Sequence, residues 1–495
     1  VLSVREFRWL WLAQVQSVIG DQFAQVAIAI LVYHRTGSPF LTALAYALTY
    51  LPPILGGPVL SGLADILPRR EVMIACDLLR VATVGLMAMP SMPFWGLCTL
   101  LFCTVLVGAP FSAARAALLP DILDSRLLTL GSALGNITHQ ASQILGFVTG
   151  AAVVAVLQPK WTLAIDAVTF GVSALVIGSA IRWRPVPRRE SGLGRPSAWA
   201  VTGEGIRVVF GSPTLRTLLL FGWLAGFYIV PEGLAAPYAR HLGGSALTVG
   251  LLMAAIPFGT VLGGIFLGRI ETHWQLRAMG WMAMGSCAPL VGCVWNPPLW
   301  AVLALWLLAG IGGAFQLAAA PAFVSALDAS NRASAFGVAQ SGLYAVQGLG
   351  ILGGGGAAQL LGVPVAVSLA GLLGLCTAAR LTVNWARLRL TVLRLVDEGL
   401  GDRGALALLG DDRPSGHVEQ RAEAPDERDD PEHEPDEGDV DLEVGSESRA
   451  DPGHQPPVLD ADQSATPAAA VVFAHDDDHA HPPGTLSSGI FLFAP

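Results

Sequence analysis

Charge is scarce in this chain. Only 14% of its 495 residues are Asp, Glu, Lys or Arg, while 53% are hydrophobic and the mean hydropathy is +0.55. That balance excludes a soluble protein of this length. Lysine occurs once against 28 arginines, which reflects a GC-rich bacterial genome rather than any chemistry. The six cysteines (Cys76, Cys98, Cys103, Cys287, Cys293, Cys376) all fall inside apolar runs and lack metal-ligand spacing. Neither a disulfide framework nor a thiolate metal site is expected, and they read as small packing residues. The phosphate-binding pattern Gly-x-x-x-x-Gly-Lys-Ser/Thr is absent, which argues against direct use of ATP. No hydrolytic motif appears either, so neither an enzyme nor a cofactor is expected. Nothing before Phe7 resembles a cleavable signal, and the first apolar run is expected to stay as its own insertion signal.

What is present is length of apolar sequence. Runs of about 20 residues are needed to span hydrocarbon as a helix. Twelve occur, at 8–33, 39–62, 72–92, 94–116, 127–157, 160–181, 215–238, 247–268, 276–295, 299–325, 332–361 and 363–385. Nineteen basic residues flank these runs on one side and three (Arg35, Lys160, Arg240) on the other. The positive-inside bias then puts both termini in the cytoplasm, as an even span number requires. A multi-pass protein of the bacterial plasma membrane is the expectation.

The chain also repeats itself at an offset of 207 residues. Gly56 and Gly57 recur as Gly263 and Gly264, Arg70 as Arg277, and Arg182 as Arg389. Gly135, Gln140 and Gly146 recur as Gly342, Gln347 and Gly353. The same offset superimposes the hydropathy of two halves. Two parallel six-helix repeats with a substrate site between them are a recurring plan for secondary transporters. The expected fold is therefore an all-α membrane protein of twelve transmembrane helices in two such repeats, with a disordered cytoplasmic tail.

Charge divides the chain further. Residues 1–396 carry a net +11 and residues 397–495 a net −20. The organisation read from this is a six-helix bundle at 1–181, a cytoplasmic linker at 182–214, a second bundle at 215–396 and an acidic tail at 397–495. The tail is proline-rich and nearly free of aromatics, so it cannot bury enough surface to fold. Its His475, Asp476, Asp477, Asp478, His479 and His481 read as a solvated charge run rather than a metal site. Within the linker, Ala198–Phe210 reads as a short amphipathic helix on the membrane surface, with an ordered loop as the alternative.

The segment Ser61–Arg70, SGLADILPRR, resembles the signature loop of the major facilitator superfamily, Gly-x-Leu-Ala-Asp-Arg-x-x-Arg-Arg. Leu63, Ala64, Asp65, Arg69 and Arg70 match, while Ser61 and Ile66 depart from it. Small residues permit close packing at such a turn, and an aspartate beside two arginines can form an ion pair that breaks between conformations. The resemblance makes Asp65, Arg69 and Arg70 a conformational gate, with Asp65 facing the start of helix 11 at Ser330–Asn331. Further stretches, VMIACDLLR (72–80), AARAALLPDIL (113–123), IDAVTFGVSALV (165–176) and GSPTLRTLLL (211–220), resemble the branch containing macrolide-efflux proteins and the enterobactin exporter. That resemblance covers about residues 5–390 and implies proton-driven export of drugs or hydrophobic metabolites. Helix 5 departs from the antiporter pattern Gly-Pro-x-x-Gly-Gly, carrying Gly146-Phe147-Val148-Thr149-Gly150-Ala151 instead.

Ionisable residues inside a membrane cost roughly 2.5–3.5 kcal/mol and are functional candidates by default. Asp77 and Arg80 lie three apart and read as a self-neutralising structural pair. Asp166 falls near the outer end of helix 6, where solvent could reach it. Asp21 and Glu232 lie mid-span on helices 1 and 7, equivalent in the repeat, without a basic neighbour in sequence; they are the candidate proton carriers. Gln25 shares the face of Asp21 and falls opposite Glu232 under the 207-residue shift. Asn136, His139, Gln140 and Gln143 on helix 5, and Gln340, Tyr344 and Gln347 on helix 11, recur at helical spacing. Facing lipid they would be expensive, so they are expected to line a substrate cavity or to join helices. His139 alone makes no metal site.

The reading is a proton-coupled exporter of an amphiphilic small molecule (drug, antibiotic or siderophore-like metabolite) working by alternating access. Its expected partners are that substrate, protons and membrane lipids, with no nucleic acid and a monomeric state. The alternatives are a lipid flippase or importer of the same fold, and a membrane receptor or scaffold acting through its acidic tail.

Overall fold

The structure is a computed structural model, described here for residues 1–54, 66–185, 198–328 and 331–409. Val1–Leu408 fall in one compact unit. The first helices are α1 (Arg5–Thr36), α2 (Pro39–Ala47), α3 (Arg69–Met87) and α4 (Phe94–Ile122). The stretch Ser125–Ala180 divides at Gln158, whose φ of 68° and ψ of 156° are not helical, into α5 (125–157) and α6 (159–180). Pro159 has no N–H with which to carry the ladder across that break. A linker helix, Ala198–Gly211, leads into α7 (213–241), which consists of four short pieces. The remainder are α8 (Ala246–Leu267), α9 (Thr272–Trp295), α10 (Leu299–Ser325), α11 (Arg332–Leu361) and α12 (Val363–Leu409).

Among the described residues nine helices are long and apolar enough to cross a membrane, counting α5 and α6 as one. With α2 and α3, twelve helices stand where twelve spans are expected. The second expected span ends in residues 55–65, outside the described set. The twelfth span, expected at 363–385, corresponds to Val363–Leu388, and the helix itself continues to Leu409. From 410 the tail, with its histidines and aspartates, lies outside the described residues.

Apart from Trp281 within α9, the exposed tryptophans lie toward the two ends of the bundle. Trp95, Trp161, Trp295 and Trp300 sit at one end of the bundle, and Trp9, Trp183 and Trp274 at the other. Indole rings favour the headgroup level, where the ring is apolar and the N–H is wet. At the second end Arg184 pairs with Glu6 at 2.6 Å, joining the end of α6 to the start of α1. The linker helix lies at this end too: Val209 is buried, and Gly205 abuts the backbone of Ser334 in α11. The amphipathic segment thus packs partly on protein, leaving Ile206 and Phe210 exposed.

The halves meet through α2 on α11, α5 on α8, and α1 on α7. The repeat is visible in the caps. Ser38 and Ser245, 207 apart, cap α2 and α8, the first accepting from Leu41 N and the second forming a capping box with Thr248. Far from the linker helix, Ser38 Oγ donates to Gln359 Oε1 at 2.8 Å across the two halves. On the same side a β-carbon at Gly355 would strike Ala43, and one at Gly250 would strike Ala151 and Phe147. Within the second half, Gly226 of α7 and Gly350 of α11 bring backbones into direct contact.

That crossing generates a test. Gly350→Val puts a side chain onto the Gly226 carbonyl, whereas a β-carbon at Gly353 meets open space. Overpacking costs about 1–3 kcal/mol, so Gly350→Val should melt several degrees below wild type in detergent and Gly353→Val close to it. Equal melting of the two variants would contradict the crossing.

Candidate functional site

One cavity of about 910 Å³ lies between the halves. Asp21 and Gln25 of α1, Tyr46 and Tyr50 of α2, Arg80 of α3, His139 and Gln143 of α5, Asp166 of α6, and Gln340 and Tyr344 of α11 border it. Its walls extend to Thr202 of the linker helix and Phe336 at the start of α11, both exposed. The cavity therefore occupies the linker end of the bundle, while the contacts of Ser38, Gly250 and Gly355 close the other end.

A charged group sits in the wall. Arg80 Nη1 lies 3.8 Å from Asp77 Oδ1, the local pair expected from spacing. Its guanidinium carbon also lies 5.1 Å from the ring centroids of both Phe111 and Phe170, a placement in which the ring faces offset part of the desolvation of the cation. Gly108 of α4 leaves room for it, since a β-carbon there would stand 2.6 Å from Arg80 Nη2. Asp21 and Asp166 border the same cavity as Arg80. Asp21 thus has a basic neighbour in space that its own helix does not supply.

Asp166 is a correction. It was expected to be reachable by solvent at a helix end, but it is 1% exposed. Thr169 Oγ1 donates to its Oδ1 at 3.2 Å, and Gly20 lets α1 press against both residues. Hydropathy places the end of a helix; it does not show which neighbour covers that end.

Glu232 lies apart from this group, in a small chamber of about 70 Å³ beyond the cavity wall. Gln140 and Gln143 of α5, Thr260 of α8, Gln316 of α10, Gln347 of α11 and Tyr228 of α7 border the chamber with it. Gln143 borders cavity and chamber alike. Glu232 is 4% exposed, and the Tyr46 hydroxyl donates to its Oε2 at 3.0 Å, a bond from the first half to the second. The rings of Tyr46 and Tyr50 stand 5.9 Å apart. Gln316 Nε2 donates to the Tyr228 hydroxyl. Gln140 and Gln347, 207 residues apart in sequence, meet here.

The candidate residues thus separate. Gln25, His139, Gln143, Gln340 and Tyr344 share the cavity with Asp21; Gln140, Gln143 and Gln347 share the chamber with Glu232; Asn136 borders neither. Of the gate, Asp65 and Ser330 lie outside the described residues. Arg69 pairs with Asp121 and donates to the Ala117 carbonyl at 2.8 Å, and Arg70 donates to the Gly178 carbonyl. Both tie α3 to α4 and α6 within the first half. Asn331 is the N-cap of α11 and makes no side-chain cap bond. Tyr46 and Tyr50 carried no signal in the sequence, being aromatics inside an apolar run.

The profile of the Major Facilitator Superfamily matches residues 10–232 and 232–394. The chain is 24% identical over 278 residues to macrolide efflux protein A of Streptococcus pyogenes, a match covering 54% of this chain and 67% of that protein. It is 24% identical over 269 residues to the enterobactin exporter EntS of Shigella boydii serotype 4, covering 53% and 63%. In fold it is similar to a bacterial homologue of the human lysosomal transporter Spinster, solved inward-facing and unoccupied, with a TM-score of 0.54 at 15% identity over 80% of this chain and 98% of that one. It is likewise similar to the nucleoside transporter NupG, with a TM-score of 0.59 at 14% identity over 76% and 99%.

Removing one member of a buried ion pair leaves the other charge uncompensated, at a cost of about 3–5 kcal/mol. Arg80→Met should therefore lower the melting temperature strongly. The double variant Arg80→Met/Asp77→Asn should recover part of that loss. A single variant that melts like wild type would show that Arg80 balances none of these acids.

Proposed function

The chain belongs to the Major Facilitator Superfamily, and on that premise we propose that it exports an amphiphilic small molecule in exchange for protons. The observation that carries this reading is the cavity between the halves. At about 910 Å³ it falls near the top of the roughly 300–1,000 Å³ typical of drug-sized ligands. Tyr46, Tyr50, Tyr344 and Met87 offer apolar surface, and Gln25, Gln143 and Gln340 offer hydrogen bonds. The names of the two similar exporters support the same class of cargo.

Proton coupling is proposed for the two acids on equivalent helices, Asp21 at the cavity and Glu232 in the chamber. Asp166 joins Asp21 around Arg80, and a single guanidinium cannot balance Asp21, Asp77 and Asp166 together. An excess of acid in a poorly solvated wall suits proton uptake and release as access changes sides. In this proposal the linker end faces the cytoplasm, as the distribution of arginine indicates. The cavity would then load from the cytoplasm, the direction an exporter needs. The absence of proline from 146–151 favours a second reading, uptake by the same fold, which the direction of transport in inverted vesicles distinguishes.

The test uses a susceptible bacterial host and everted vesicles, with a macrolide and a panel of other amphiphiles as probes. Wild type should accumulate at least one probe in everted vesicles, and a protonophore should abolish that accumulation. Asp21→Asn or Glu232→Gln should reduce gradient-driven transport at least ~10-fold, a change of about 1.4 kcal/mol in the barrier. Binding or passive exchange should remain measurable in the same variant. If both neutral variants pump normally under a pH gradient, neither acid carries the proton. If no probe accumulates at all, the export reading fails.

A further inference from the structure

The chamber beside Glu232 differs from the cavity in kind. Its volume of about 70 Å³ is too small for an amphiphile. It has room for water-sized guests, for which about 10–15 Å³ of such space is enough. Among the described residues its one charged lining residue is Glu232, and no Arg, Lys or His borders it. Around the carboxyl group stand neutral oxygen donors, namely the amides of Gln140 and Gln347 and the Thr260 hydroxyl.

Two of those donors are unused. Gln140 Oε1 and Gln347 Oε1 are buried without a hydrogen-bond partner, and Gln347 as a whole is only 3% exposed. Leaving a buried acceptor unsatisfied costs about 1–3 kcal/mol, so two at one small chamber ask for a ligand. The helical ladder also lacks one bond here, although Ile229 keeps helical dihedral angles. α7 passes the chamber as the short pieces Ala225–Tyr228 and Val230–Gly233, and Pro231 has no N–H to offer the Phe227 carbonyl. The Phe227 carbonyl is thereby left without its intrahelical donor.

One negative charge, several neutral oxygen atoms, no base and room for an ion with one water define the ligand. We infer that the chamber binds one sodium-sized monovalent metal cation through Glu232, Gln140 and Gln347, in competition with the proton proposed above for that carboxyl group. This rests on the export reading only for the proton; occupancy by the metal ion stands on the chamber's own chemistry. The Tyr46 hydroxyl, which borders the cavity, holds Glu232 Oε2 from the other half.

The experiment melts the purified full-length protein in sodium chloride against an equal concentration of choline chloride, over a series of pH values. Near neutral pH saturating sodium should raise the melting temperature by ~2–4 °C, and acidification should raise the sodium concentration required. Glu232→Gln should lose the response, and Gln347→Leu should need ~10-fold more sodium. Binding of radioactive sodium should saturate at one ion per chain. Equal melting in sodium and choline at every pH, or a sodium response that survives Glu232→Gln, would overturn the site. Should Glu232→Gln fail to fold, Gln347→Leu decides: an unchanged sodium requirement in that variant would overturn the site. No substrate or transport enters these readouts, so their failure is distinct from failure of the export reading.

Discussion

A carboxyl group inside a membrane bundle needs a partner, and Glu232 finds its partner across the seam between the halves. The hydroxyl of Tyr46 on α2 donates to it at 3.0 Å. A hydrogen bond to an ionised acceptor is worth more than one between neutral groups. Whatever neutralises Glu232 therefore weakens a tie between the two bundles, and whatever separates the bundles exposes the acid to neutralisation. In the proposed cycle, ion binding and movement of the halves are linked through this one contact, and such a coupling is reciprocal.

The remaining architecture leaves that contact at the boundary between an open region and a closed one. Toward the linker helix the halves enclose the cavity. Away from it, Ser38 meets Gln359, Gly355 receives Ala43, and Gly250 receives α5. Small residues make this closure possible because they let backbones touch without side chains between them. The same property makes the closure reversible, since little interlocking has to be undone when the helices part. Arg80 plays the opposite part. Held between two phenylalanine rings and 3.8 Å from Asp77, it joins α3 to α4 and α6.

Much of this was legible in the sequence where a pattern reports a periodic or repeated constraint. Apolar runs located the helices because backbone satisfaction in lipid permits little else. The 207-residue offset paired Gln140 with Gln347, and they meet in the chamber. The Asp77–Arg80 pair followed from helical spacing alone. What escaped were contacts between elements. Asp166 read as a solvated helix end because nothing in its own segment shows that Gly20 brings α1 over it. Arg80 read as a local partner because only the crossing of helices brings it to the cavity that Asp21 borders. Tyr46 is one aromatic among apolar neighbours, and only the fold points its hydroxyl at Glu232. Hydropathy placed the twelfth span but not the helix end, since a helix can continue beyond its span, here to Leu409.

The central claim is that the two halves alternate about this seam. Distances between paired spin labels test it most directly, with the native cysteines replaced and the protein in lipid nanodiscs. One pair replaces Ser38 and Gln359 at the closed end; the other replaces Arg126 and Arg269 at the linker end. When a macrolide is added or the pH is shifted, the first distance should lengthen in the same population in which the second shortens. Distances that both stay fixed under every condition, or that change in the same direction, would contradict the account.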